Sequence, residues 1–175
     1  MNGSKSGSIR LDDLTIECLA SRVGEILSAR HRLLVSAESC TGGWLAKAIT
    51  DIAGSSQWFE RGFITYSNAA KVGQLGVAET VLEQEGAVSE AVVREMALGA
   101  LDRSQGHFAV AISGIAGPDG GSADKPVGTV WIAWATMVPA VVTKLYRFEG
   151  NRETIRRAAV IAALEGIMAI NETKT

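Results

Sequence analysis

Two spacings of apolar residues alternate along this chain. Leu19, Val23, Ile26 and Leu27 recur at helical intervals, so the spacing predicts a first helix over residues 12–29. Leu33 to Ala37 is a short apolar run and reads as a buried strand. Leu45, Ala48, Ile49 and Ile52 mark a second helix that starts at the Gly42-Gly43 pair, and Phe63-Ile64-Thr65-Tyr66 marks a second strand. A short helix is expected over 79–85. Val93, Met96, Ala97, Ala100 and Leu101 then carry a longer one, with Ser89 as its N-cap. Phe108 to Ile112 is continuously apolar, as suits a strand covered on both faces. Thr129 to Thr136 and Val141 to Phe148, joined by a turn containing Pro139, predict a β-hairpin. Lys144 and Arg147 suit an edge strand, where charge blocks unwanted pairing. Ile155 to Ile170 completes the pattern with a last helix capped by Asn151.

Strands separated by helices pair in parallel through right-handed crossovers. No helix fits between the third and fourth strands, so the fourth is expected to run antiparallel. The predicted fold is α/β: a three-layer α/β/α sandwich around a mixed five-stranded sheet of order 2-1-3-4-5. Residues 1–10 are expected to form a disordered arm and 11–175 a single domain.

Composition narrows the function classes. The 175 residues are 47% hydrophobic, with 17 basic and 19 acidic side chains and a net charge of -2. There is no basic stripe for a nucleic acid. No apolar run approaches the ~18 residues that span a membrane. Met1 to Ser8 is polar and lacks the apolar core of a signal peptide, so the expected location is cytoplasmic. Two cysteines and two histidines without metal-site spacing predict no metal site, and no phosphate-cradling glycine motif follows a strand, so no cofactor is expected. Cys18 is expected on the buried side of the first helix.

In open α/β sheets, ligands bind beyond the carboxyl ends of the strands, where strand order reverses. That rim gathers four segments. One holds Ser39, Cys40, Thr41, Gly42 and Gly43. A second holds Tyr66, Asn68 and Lys71. A third holds Ser113, Gly114, Ala116, Gly117, Gly120 and Gly121, and the start of the fourth strand adds Thr129. His31 and His107 precede strands, roughly 15–20 Å away at the opposite edge. A serine nucleophile on this rim therefore needs a base other than histidine. Ser39 sits just ahead of a helix start, where free N–H groups can bind an oxyanion. Ser39 or Thr41 as a plain N-cap remains the alternative. Cys40 is a rival nucleophile, disfavoured because no histidine lies near it. Lys71 reads as a solvated surface charge or, if burial depresses its pKa, as the base. Tyr66 either orients Lys71 and shuttles a proton or simply packs at a strand end.

Ala37-Glu38-Ser39-Cys40-Thr41-Gly42-Gly43, Tyr66-Ser67-Asn68-Ala69-Ala70-Lys71, Gly86-Ala87-Val88-Ser89, the run from Ser113 to Gly121, and Lys125-Pro126-Val127-Gly128-Thr129-Val130 occur in this order. Together they resemble the CinA C-terminal domain family, and within it the stand-alone bacterial amidases. The resemblance implies hydrolysis of the carboxamide of nicotinamide mononucleotide to nicotinate mononucleotide and ammonia, in pyridine-nucleotide salvage, without a metal. It implies Ser39 as nucleophile, Lys71 as base and Tyr66 beside them. The rim residues named above, the 114–121 loop among them, are expected to line the nucleotide pocket. It also implies a homo-oligomer, most often a dimer. Larger relatives carry a further N-terminal domain whose activity does not transfer. Asn151 stands where an acidic residue is common in the family. A non-catalytic nucleotide-binding module, or an amidase for another small amide, remain the alternatives.

Overall fold

The structure, a computed structural model, describes residues 11–137 and 140–172. The expected arm over 1–10 and the turn at Pro139 lie outside the described residues. The elements in chain order are α1 (Leu11–Ala29), β1 (Leu34–Glu38), α2 (Trp44–Thr50), a 3-10 turn (Ser55–Gln57), β2 (Phe59–Ile64), α3 (Asn68–Leu75), α4 (Glu79–Glu85), α5 (Glu90–Asp102), β3 (Phe108–Gly114), β4 (Thr129–Thr136), β5 (Val141–Arg147) and α6 (Arg152–Glu172). The sheet order is β2-β1-β3-β4-β5. β1 pairs in parallel with β2 and β3, whereas β4 runs antiparallel to both of its neighbours.

The two faces of the sheet bury different side chains. On one, Leu34, Phe108, Val110, Ile112, Ile132 and Trp134 pack against α1, α2 and α6. On the other, Val35, Ala37, Ala109, Ala111, Ala133 and Ala135 meet α5 and the inner sides of α3 and α4. The alanine-rich face lets α5 approach closely, and Gly99 of α5 packs directly on the Leu75 carbonyl at the end of α3. Trp134 is held by its indole N–H on the Ala163 carbonyl, 3.0 Å away. It is a packing residue between sheet and helix.

Three expectations need correction. β2 spans Phe59–Ile64, earlier than the apolar run at 63–66 suggested. It is an edge strand, and its charged positions Glu60 and Arg61 mask the alternation. The apolar spacing predicts no helix between the second strand and residue 79, but Ser67 accepts the Ala70 N–H at 3.0 Å and starts α3, which carries Lys71 in its first turns. Cys18 is exposed. The buried stripe of α1 runs through Ile16, Ala20, Val23 and Leu27, and Cys18 lies off it. The expected caps of α5 and α6 are present. Ser89 accepts from Val92 N–H at 3.3 Å, and Asn151 from Thr154 N–H at 3.0 Å.

Candidate active site

β1 delivers the first half of the site to the rim. Its last residue, Glu38, is fully buried, and a buried carboxylate needs donors. It receives the N–H groups of Gly43 and Leu45, both at 3.0 Å, and of Ala46 at 2.8 Å. Glu38 therefore occupies the N-terminal end of α2 and fixes the turn between strand and helix. That turn also needs glycine. Gly43 has φ +91, and a Cβ there would meet the Ile64 side chain at 2.9 Å.

Ser39 begins the turn, 8% exposed, with its N–H bonded to the Ile112 carbonyl of β3 at 3.0 Å. The Gly42 N–H closes back onto the Ser39 carbonyl at 3.1 Å. With the Gly43 N–H on Glu38, the turn's remaining N–H groups are those of Cys40 and Thr41. No oxygen among the described residues accepts either of them. Of the free N–H groups expected at this helix start, these two are left for an oxyanion.

α3 supplies the second half. Lys71 is 1% exposed, and its ammonium nitrogen faces three oxygens. Ser39 Oγ lies 3.1 Å away, the Thr65 carbonyl 3.0 Å and the Tyr66 carbonyl 3.4 Å. Burial pushes the Lys71 pKa below its ordinary value, because the interior disfavours the charged form. A nearby Cys40 thiolate would oppose this. However, burial pushes the Cys40 thiol up to about 12, so the sulfur is neutral at ordinary pH. The same shift makes Cys40 a poor nucleophile. A neutral Lys71 amine has two N–H donors and one lone pair. The two carbonyls suit the donors, which aims the lone pair at the Ser39 hydroxyl.

Tyr66 meets Lys71 through its carbonyl oxygen. Its side chain is 61% exposed, and its hydroxyl accepts from Arg152 Nη2 at 3.0 Å. Arg152 Nη1 also donates to the Gly117 carbonyl at 2.9 Å, so this arginine links the Tyr66 segment to the glycine-rich loop. Asn68 is exposed and lines a cavity of about 360 Å³ whose lining includes neither Ser39 nor Lys71.

The loop between β3 and β4 is folded back at its ends. The Ile115 N–H reaches the Thr129 carbonyl at 2.9 Å, and the Gly128 N–H reaches the Ile115 carbonyl at 2.8 Å. Ser113 donates to the Ala87 carbonyl and Thr129 to the Pro126 carbonyl, each at 2.7 Å. Gly114 abuts the turn after β1: a Cβ there would meet Cys40 Sγ at 3.1 Å. Ala116 and Gly117 are buried, and Gly120 and Gly121 are exposed at the tip. Among the described residues, no cluster of three or more His, Cys, Asp or Glu could hold a metal ion. His107 caps the start of β1 instead, taking the Leu33 N–H on Nδ1 at 3.0 Å.

Residues 16–170 match the family model of the CinA C-terminal domain. The chain belongs to the CinA C-terminal domain family. Among its CinA-family relatives, nicotinamide-nucleotide amidohydrolase PncC of Escherichia coli (strain K12) is 56% identical over 155 residues, which cover 89% of this chain and 94% of that one. The PncC of Pseudomonas putida is 53% identical over 155 residues, covering 89% and 96%. The crystal structure of the competence/damage inducible protein CihA from Agrobacterium tumefaciens superposes with a TM-score of 0.88 at 47% identity, covering 90% of this chain and 96% of that one.

Reading the CinA-type sequence missed three contributors to the site. Glu38 stood inside the quoted motif without a role. Its signal was an acidic residue between an apolar strand and a helix start. Thr65 is fully buried with an unpartnered hydroxyl, and its carbonyl receives Lys71. Arg156 on α6 donates from Nε to the Cys40 carbonyl at 3.0 Å and from Nη2 to the Thr41 carbonyl at 2.8 Å. Nothing in local sequence announces that last contact, because it joins residues far apart in the chain.

Proposed function

We infer that this chain is a nicotinamide-nucleotide amidohydrolase, converting nicotinamide mononucleotide and water to nicotinate mononucleotide and ammonia in pyridine-nucleotide salvage. The support is the likeness to the PncC proteins across nearly their whole length. The observation that carries the chemistry is the 3.1 Å contact between Lys71 Nζ and Ser39 Oγ. A module that merely bound nucleotide would have no use for a lysine buried against a serine.

In the proposed mechanism, the neutral Lys71 amine takes the Ser39 hydroxyl proton as Oγ adds to the carboxamide carbon. The oxyanion accepts the N–H groups of Cys40 and Thr41. Lys71, now an ammonium, gives its proton to the departing nitrogen. Ammonia leaves and an ester to Ser39 remains. Water then adds to that ester while Lys71 takes the water's proton, and collapse returns the proton to Ser39 and releases the acid. Tyr66 and Arg152 frame the mouth, and the glycine-rich rim segments line the nucleotide pocket. The reading places the enzyme in the cytoplasm; no described helix is long and apolar enough to cross a membrane. It also includes a homodimer, in keeping with the exposed Ile64 and Tyr66 side chains at the β2 edge. The test is ammonia release from nicotinamide mononucleotide beside nicotinamide and NAD. Turnover of the mononucleotide well above the other two supports the reading. Preference for either of the others overturns the substrate assignment.

A further inference from the structure

The α6 arginine that reaches the nucleophile turn has a geometry beyond a simple staple. Two nitrogens of the Arg156 guanidinium hold two successive carbonyls of the turn, those of Cys40 and Thr41. The guanidinium also lies over the Trp44 ring, 5.3 Å from its centroid. A planar fork of this kind defines direction as well as attraction.

In a trans peptide, the carbonyl of one residue and the N–H of the next point in opposite directions. Holding the Cys40 carbonyl toward Arg156 therefore turns the Thr41 N–H away from it. The Thr41 carbonyl is doubly held, by Arg156 and by the Trp44 N–H at 3.2 Å. The neighbouring peptide is fixed by the Gly42 N–H on the Ser39 carbonyl. Glu38 has already taken the first N–H groups of α2. We propose that Arg156 is a positioning residue for the reaction: by gripping the Cys40 and Thr41 carbonyls, it presets the Thr41 N–H as an oxyanion donor. Arg156 touches neither Ser39 Oγ nor Lys71 and acts through the turn alone.

The inference rests on the amidase reading, and its test separates the two. Arg156→Met and Arg156→Lys are compared with wild type for kcat, KM, Tm and inhibition by the substrate analogue in which an aldehyde replaces the carboxamide. Ser39 Oγ adds to that aldehyde carbon, its proton passes to Lys71, and the new oxyanion requires the same N–H donors. Arg156→Met is expected to lose about 10- to 100-fold in kcat, a share of what a full oxyanion donor contributes. KM should stay within about threefold, and aldehyde affinity should fall in step with kcat. Arg156→Lys keeps the charge without the fork and should recover only part of the loss. A merely structural role would lower the active fraction and leave the aldehyde affinity of the remaining enzyme unchanged, which overturns the proposal. So does full recovery in Arg156→Lys, or a loss confined to KM, which would make Arg156 a substrate anchor. A wild type that releases no ammonia sinks the amidase reading and this inference with it. An active wild type beside equally active variants sinks only this one.

Discussion

Two loops of this molecule look alike in sequence and do different work. Both follow a strand at the same rim, both are rich in glycine, and both hold hydroxyl side chains. In the turn after β1, Ser39 is left facing Lys71, and no oxygen among the described residues accepts the N–H groups of Cys40 and Thr41. At the two ends of the loop after β3, the hydroxyls of Ser113 and Thr129 are each spent on a backbone carbonyl. One loop keeps its reactive groups free by spending Glu38 and Arg156 on holding the backbone. The other spends its hydroxyls on backbone carbonyls, and Arg152 grips it at the Gly117 carbonyl. The two therefore differ in whether their hydroxyl groups are left free or spent on the backbone.

The largest expected effect tests that contrast at its strongest point. Ser39→Ala should lower kcat by at least about 10³-fold with the fold intact, read by ammonia release together with thermal unfolding. Lys71→Arg should lose about 10²–10⁴-fold, because a guanidinium stays protonated and cannot act as the base. Retention of most of its kcat would reduce Lys71 to a charge near the substrate. Ser113→Ala and Thr129→Ala act at the two ends of the other loop. Each should cost about 1 kcal/mol of stability, measured by denaturant unfolding, and leave kcat within about threefold. A large fall in kcat for either would erase the contrast. Least of all, Cys40→Ala should leave turnover within about threefold. A thiol alkylating agent should modify the exposed Cys18 while sparing Cys40, whose thiol is held near 12.

The topology was legible because β3 and β1 are buried on both faces and so appear as mostly apolar runs. The reversal of β4 followed from the absence of a helix between it and β3. β2 was misplaced because an edge strand with a half-buried Glu60 and an exposed Arg61 lacks such a run. α3 was missed because Gly73 and Gly76 look like breakers, while its cap, Ser67, looks like a turn residue. Gly76 in fact terminates the helix at φ +71. Ser39 and Lys71 came from local motifs and the family resemblance. Their contact needed the structure, since it depends on α3 carrying Lys71 inward. Glu38 and Arg156 escaped for a related reason: their partners are backbone groups, and backbone groups leave no mark on a sequence.

The proposed chemistry requires Lys71 to be a neutral amine when it meets substrate. Its pKa is lowered in the folded chain, so between the folded and unfolded values the unfolded chain binds more protons. Stability therefore rises with pH across that window, and protonation at lower pH removes the base. The most direct measurement is a pH titration of lysine side-chain nitrogen signals by NMR, with Lys71 assigned by its loss in Lys71→Arg, beside the pH profile of kcat/KM in wild type. The predicted result is a Lys71 midpoint below those of the exposed lysines, with kcat/KM rising through the same pH. A Lys71 midpoint at or above theirs, or a kcat/KM that does not follow it, would contradict the assignment of Lys71 as the base for Ser39.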